Sequence, residues 1–361
     1  MSETSPPMPV LAVTCGDPTG IGLEVLVKAL HATQWHTRIA IVLHAAPEHL
    51  AAQAPLLEGG AAEIADPERW QLGTLDRRPI TPGLWLCPVA TSGPLPIPGA
   101  PTEETVRVMR DSLDAATNAA LGPAADALLT PPITKDLFGE ESFPGQTEWL
   151  AHRAQASSVA MMLAGPTLRV VPVTTHLAIR DVADALTPER ITRHIQTTDQ
   201  ALREDFGIPT PRIAICALNP HGGEGGRFGD EEERILAPAI ARARDAGLEV
   251  DGPIPADTLF AVAPKGPWDA ILTMYHDQGL IPFKMLHFDE GVNVTLGLPF
   301  VRTSPDHGVA HDIAGLGKAR PDSMIQALKM AVEITLRRTS SHRAQTDRIP
   351  DPSHDRGPRV P

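Results

Sequence analysis

Aromatic side chains are scarce in this sequence: they make up 4% of its 361 residues, with a single tyrosine. A core must therefore be packed from Leu, Val, Ile and Ala, and the 42% hydrophobic content is enough to supply one. Cysteine is scarce too. Cys15, Cys87 and Cys216 are odd in number, far apart and not in CxxC spacing. That argues against a disulfide framework or a cysteine zinc site, and fits a reducing compartment. Positive charge is short, with 31 Lys and Arg against 44 Asp and Glu and a net charge of −13. Nucleic acids and anionic membranes need a basic footprint, so neither is expected as a partner. No apolar run approaches the ~18 residues of a membrane span. The first residues, Met-Ser-Glu-Thr-Ser-Pro-Pro, lack the basic start and apolar stretch of a signal peptide. The expectation is a soluble, cytoplasmic protein. A small anionic substrate stays compatible with it, because a pocket can be locally positive on an acidic chain.

The length suits one large or two modest α/β lobes. Short apolar runs at 10–14, 38–43, 125–130, 168–174, 212–218 and 268–273 read as buried strands, each bounded by turn formers or charges. Helical patterns lie between them at 21–31, 103–121, 188–206, 230–246 and 321–338. The alternation implies an α/β fold with a largely parallel sheet. Residues 81–101 are crowded with Pro and Gly and read as a linker. Residues 339–361 are polar and charged without apolar period and read as a disordered tail. There is no internal repeat.

Three histidines occupy equivalent places. His176, His221 and His276 each follow the end of an expected strand. In a parallel α/β sheet, ligands bind in the crevice at the carboxyl ends of the strands. A single histidine there is more often a satisfied loop residue. Three in matching positions, with carboxylates nearby in sequence, suggest a divalent-metal site built on neutral imidazole. His221 lies in Leu-Asn-Pro-His-Gly-Gly-Glu-Gly-Gly, where the glycines allow close backbone approach but the Gly-Lys-Ser/Thr of a P-loop is missing. His276 is followed by Asp277, which could orient an imidazole, act as a base or cap a helix. Lys284, Asn293, Arg302, Thr303, Asp306 and His307 follow. Lys and Arg close to a cation in an acidic protein point to a phosphate or carboxylate, and Arg302 comes straight after the apolar run 296–301, at an expected strand end. The turn from Cys15 to Gly22 opens a helix and could bind an anion, yet its spacing is not GxGxxG. A nicotinamide cofactor would need another architecture.

In order along the chain, TCGDPTGIGLE (14–24), PGQTEWL (144–150), VTTHL (173–177), LNPHGGEGG (218–226), PADTLF (255–260), YHDQG (275–279), NVTLGLPFVRTSPDHG (293–308) and DIAG (312–315) closely resemble the 4-hydroxythreonine-4-phosphate dehydrogenase (PdxA) family. The match runs from about Leu11 to Arg338. The resemblance implies an isocitrate/isopropylmalate dehydrogenase-like fold of two α/β lobes around a central cleft, in a homodimer with shared active sites. The expected division is 1–140 with 295–338 as one lobe, 141–294 as the second lobe with metal ligands and dimer interface, and 339–361 as tail. It also implies one divalent ion per site (Zn, Co or Mg) held by His176 and His221 with His276 donated across the dimer, and NAD or NADP as cofactor. Gln146, Thr147, Lys284, Asn293 and Arg302 match the family's substrate-binding positions. Gln146 departs from the usual His of the family's Gly-His-Thr-Glu motif, and Gln cannot carry positive charge.

The implied reaction is oxidation of 4-hydroxythreonine 4-phosphate to a β-keto acid, which decarboxylates to 3-amino-2-oxopropyl phosphate in pyridoxal 5′-phosphate biosynthesis. Asp257 and Asp277 are the candidate bases. The same chemistry on another four-carbon acid phosphate or on a dihydrodiol dicarboxylate is the alternative. A metal-dependent phosphate-ester hydrolase or a non-catalytic binding protein fits less well.

Overall fold

Residues 8–74, 77–134, 143 and 145–346 are described by a computed structural model. The strands are β1 (Val10–Thr14), β2 (Ala40–Ala45), β3 (Gln71–Leu72), β4 (Gly83–Pro88), β5 (Ala127–Leu129), β6 (Ala160–Ala164), β7 (Arg169–Pro172), β8 (Arg212–Cys216), β9 (Glu249–Ile254), β10 (Ala270–Thr273), β11 (Val292–Leu296) and β12 (Val301–Pro305). The helices are α1 (Gly22–Thr33), α2 (Pro47–Ala51), α3 (Gly59–Ile64), α4 (Glu103–Leu121), α5 (Gln146–Arg153), α6 (Val182–Ala185), α7 (Pro188–Glu204), α8 (Ala237–Asp245), α9 (Ala256–Val262), α10 (His276–His287) and α11 (Asp322–Thr346). The twelve strands of the described residues join one sheet in the order β3-β4-β2-β1-β5-β12-β11-β6-β7-β10-β8-β9.

Pairing is parallel except around β11 and β6. β11 is antiparallel to β12 and to β6, and β6 is antiparallel to β7. The strands β7, β10 and β8 therefore run opposite to β1, β2 and β5, a reversal that apolar periodicity does not encode. β1 is buried along its whole length because helices cover both faces. Leu11 and Val13 pack into one cluster with α1, α7, α8 and α11, while Val10 and Ala12 pack into another with α4 and α5. A third cluster holds α9 and α10 against β7, β8 and β10. Local chemistry starts the long helices. Thr102 and Thr105 form a reciprocal capping box on α4, and Thr187 accepts from Arg190 N with Pro188 at the first position of α7.

Several expected boundaries change. Residues 81–101 include β4, which pairs with β2 over six positions, so the stretch is a linker only beyond Pro88. The apolar run 296–301 is not one strand but spans the end of β11, a connection at 297–300 that contains Gly297 at φ +83°, and the start of β12. Arg302 consequently sits inside β12, as its second residue, instead of at a strand end. The helix expected at 230–246 opens with a π turn, Glu232–Leu236, before α8. α11 continues to Thr346, so the tail is helical at 339–346, and 347–361 lie outside the described residues.

In β2, the His44 side chain is 1% exposed and neither ring nitrogen has a hydrogen-bond partner among the described residues. Burial pulls its pKa down from 6.5 to about 4. Between those values the unfolded chain binds the proton and the folded chain does not, so stability is full above pH 6.5 and falls as the pH drops toward 4. The loss over that window should be about 3 kcal/mol. Urea denaturation of wild type and His44→Leu at pH 7 and pH 4.5 should show a distinctly smaller acid-side loss in the variant. Equal losses would remove His44 as the cause.

Candidate active site

β7, β10 and β8 are neighbours and mutually parallel, so the segments leaving them emerge at one end of the sheet. His176 follows β7, His221 follows β8, and His276 is the first residue of α10 after β10. The β10–α10 junction is stapled by Gln278. Its Oε1 accepts from Met274 N at 2.7 Å and its Nε2 donates to Ala217 O at 2.7 Å, tying the end of β10 to the end of β8. Glu232, only 4% exposed, holds the His221 loop. Its Oε1 accepts from Leu218 N at 2.9 Å and Asn219 N at 2.8 Å, and its Oε2 accepts from Asn219 Nδ2 at 2.9 Å. His221 itself has φ +53°, a left-handed conformation that costs a non-glycine residue energy and persists only when its surroundings impose it. Gly223, at φ +77°, has no room for a Cβ: Gly229 O would lie 2.7 Å away and Glu232 Oε2 2.8 Å away.

His176 and His276 face one another within the chain, with ring centroids 6.3 Å apart. His276 Nδ1 lies 2.7 Å from Asp277 Oδ1, and His176 Nδ1 lies 4.0 Å from Glu148 Oε1. At His276 the carboxylate engages Nδ1 and leaves Nε2 free, an arrangement common around metal-ligating imidazoles. His221 packs beside Phe228, ring centroids 6.3 Å apart. Among the described residues of one chain, no three His, Cys, Asp or Glu side chains come close enough to hold an ion. The donor set suits a divalent cation, and one chain gathers two of the three imidazoles.

The anion-binding side is built around Arg302, which is 3% exposed. Its Nε and Nη2 donate to Thr130 Oγ1 at 3.1 and 2.8 Å, Nη1 to Thr295 Oγ1 at 3.0 Å, and Nη2 to Gln146 Oε1 at 2.7 Å. Burial lowers its pKa to about 10, against the opposing pull of Glu148. Across the site Lys284 Nζ lies 3.5 Å from Asp306 Oδ1. Burial raises the Asp306 carboxyl, with Lys284, His307 and His276 opposing. Gln146 Nε2, Glu148 Oε2, Asn293 Oδ1, Asp306 Oδ2 and His307 Nε2 are buried and have no hydrogen-bond partner among the described residues. Each such atom costs free energy unless something fills the space with matching donors and acceptors. Gln146 and Glu148 adjoin Arg302 and His176, and Asp306 adjoins Lys284, so unsatisfied atoms lie on both sides of the facing imidazoles.

Similarity to known proteins agrees with this geometry. Residues 37–331 match the family described as pyridoxal phosphate biosynthetic protein PdxA. The chain belongs to the PdxA family. It is 43% identical over 346 residues to the 4-hydroxythreonine-4-phosphate dehydrogenase of Paracoccus denitrificans, covering 94% of this chain and 100% of the relative. The crystal structure of 4-hydroxythreonine-4-phosphate dehydrogenase from Klebsiella pneumoniae superposes with a TM-score of 0.77 at 37% identity, over 91% of this chain and 99% of that one. A terephthalate 1,2-cis-dihydrodiol dehydrogenase from Burkholderia xenovorans gives 0.61 at 27% identity, over 90% and 98%. The fold is the isocitrate/isopropylmalate dehydrogenase-like α/β architecture.

Among the residues picked out from the PdxA pattern, Arg302 and Gln146 are in direct contact, Lys284 pairs with Asp306 just beyond β12, and Asn293 lies on β11 opposite Ser304. Thr147 is half-buried on α5. Of the two base candidates, Asp277 touches His276, whereas Asp257 is exposed at the start of α9, where its Oδ1 accepts from Thr258 N. Pro144, within the 144–150 motif, lies outside the described residues. The Cys15–Gly22 turn does not offer an anion site. Asp17, 2% exposed, fills it, accepting from Thr19 N and Oγ1 at 2.8 and 2.7 Å and lying 3.1 Å from His311 Nε2. Thr130, Thr295, Glu148, Gln278 and Glu232 escaped the sequence reading. Glu148, Gln278 and Thr295 stood inside recognisable motifs, but nothing in the sequence marks the hydroxyl of Thr130.

Removing the Glu232 carboxylate strands buried donors and frees the His221 loop. Glu232→Ala should lose about 2–4 kcal/mol of stability and bind divalent metal about tenfold more weakly. Denaturant melts and metal-competition titrations check both. An unchanged metal affinity would show that His221 is placed without it.

Proposed function

We infer that this chain is an NAD(P)-dependent, divalent-metal-dependent dehydrogenase that oxidises 4-hydroxythreonine 4-phosphate to a β-keto acid. That acid decarboxylates to 3-amino-2-oxopropyl phosphate, a step toward pyridoxal 5′-phosphate in the cytoplasm. The observation that carries the reading is the buried Arg302 fork beside unsatisfied polar atoms, next to the facing His176 and His276. It is an anion clamp joined to a metal-type donor set, in a chain of the PdxA family. The relatives named as 4-hydroxythreonine-4-phosphate dehydrogenases support the substrate.

Arg302, Lys284, Gln146, Thr147 and Asn293 would hold the phosphate end, fixing the reacting carbon against the nicotinamide. The metal would be held by His176, His221 and His276. When bound, the cation (Zn²⁺, Co²⁺ or Mg²⁺) would make the substrate hydroxyl more acidic, and NAD or NADP would accept hydride. Asp277 or Asp257 would take the hydroxyl proton, and Asp277 would keep His276 oriented through Nδ1. The reading places the cleft between a lobe of 1–140 with 295–338 and a lobe of 141–294.

A second copy of the chain completes the site in this account. α10 carries the exposed apolar side chains Ile281 and Met285, 59% and 81% exposed, immediately after His276, with Phe288 at 71% just beyond its end. A patch of that kind marks a protein interface. His276 of one copy would reach His176 and His221 of the other. The 6.3 Å spacing of His176 and His276 inside one chain favours a second ligand set, these two with His221 from the other copy.

His221→Ala should abolish metal-dependent NAD(P)H formation from 4-hydroxythreonine 4-phosphate while the circular dichroism spectrum is retained. Mixing His221→Ala with His276→Ala chains and letting them reassociate should restore about a quarter of the wild-type rate, since half the dimers carry one intact site. Mixing His176→Ala with His276→Ala restores activity only for the first ligand set. Full activity in His221→Ala would end the metal assignment. Phosphate release without nicotinamide reduction would instead identify a hydrolase.

A further inference from the structure

The Arg302 guanidinium is buried, and among the described residues no carboxylate hydrogen-bonds to it. Its neighbours are two hydroxyls and one amide, from Thr130, Thr295 and Gln146. Thr130 is 0% exposed and Thr295 2% exposed. Thr130 is further held through its own carbonyl, which accepts from Ser304 Oγ at 2.8 Å. A guanidinium only donates, so the group facing it on Gln146 must be the carbonyl oxygen. Flipping that amide would set donor against donor. Gln146 Nε2 is therefore turned away from Arg302, buried and without a partner among the described residues. Two N–H groups with no acceptor among the described residues, beside the Arg302 cation, suit an oxyanion.

We propose that Thr130 and Thr295 are positioning residues that hold the Arg302 fork, and that Arg302 locks the Gln146 amide as an outward donor to the substrate's phosphate. This chain thus grips the anion with a group whose charge does not change between pH 6 and 9. The inference rests on the proposed substrate class. The charged or titratable groups around the amide are Glu148 on the same helix, Arg302 on β12, His176 beside Gly145, and the Lys284–Asp306 pair across the site. They are common to wild type and to variants at 146 and 130, so ratios of KM cancel their titration. The phosphate's own second ionisation, near pH 6, cancels in the same way.

The experiment measures KM and kcat for 4-hydroxythreonine 4-phosphate from pH 6 to 9 in wild type, Gln146→His, Gln146→Glu, Thr130→Val and Thr130→Ser. Calorimetric titration with inorganic phosphate runs in parallel. In Gln146→His the KM ratio to wild type should climb about 3- to 10-fold between pH 6 and 8.5, as the imidazole loses its charge. Gln146→Glu should raise KM at least about tenfold at every pH, because it places an acceptor where a donor is needed and neutralises Arg302. Thr130→Val should raise KM about tenfold with a smaller change in kcat, and Thr130→Ser should restore it. A pH-independent ratio for Gln146→His, or wild-type KM in Gln146→Glu, overturns the amide assignment. Wild-type KM in a folded Thr130→Val overturns the positioning role. If wild type does not reduce NAD or NADP with this substrate, the proposed function falls, and the phosphate titrations of the same variants still decide the inference.

Discussion

A guanidinium kept from water at the seam where the sheet reverses direction is the constraint around which this site is organised. Arg302 lies on β12, and β11 runs antiparallel to it. Only that antiparallel neighbour sets Thr295 and Asn293 alongside, while parallel β5 leads into Thr130 on the other side. Burying a cation is costly, and among the described residues the cost is limited by hydrogen bonds to neutral oxygens. The lowered pKa of Arg302 records the same imbalance, since burial outweighs the field of Glu148.

The metal-type side of the site rests on a different device. Three neighbouring parallel strands deliver three histidines to one end of the sheet, and buried polar side chains fix the segments that carry them. Gln278 ties β10 to β8, and Glu232 gathers the backbone ahead of His221. The left-handed His221 shows that position outweighed local preference at this residue. One chain nevertheless brings only His176 and His276 face to face. The exposed apolar side chains Ile281 and Met285 lie on the same helix as His276.

Membership of the PdxA family and the local geometry support each other without repeating each other. The similarity names a reaction class through its relatives. The geometry explains which atoms can meet a phosphate and where this chain differs from the pattern. Gln146 presents its carbonyl oxygen to Arg302 and carries no charge at any pH.

Much of the architecture was legible in the amino-acid order, because burial on both faces of a sheet imposes continuous apolar runs and burial on one face of a helix imposes a 3.6-residue period. β1 and α4 have the bounds their periodicity predicts. The histidines at strand ends and the Lys284–Arg302 set were visible as well, since their residue types are rare in apolar company. The reversal at β11 and β6, the strand inside 81–101 and the place of Arg302 within β12 were decided only in three dimensions. A strand's direction depends on which partner it finds, not on its own composition. Likewise Thr130, 172 residues from Arg302 in the chain, carries no local mark of its role. A buried charge selects its acceptors from whatever the fold brings within 3 Å, and that choice belongs to the tertiary structure.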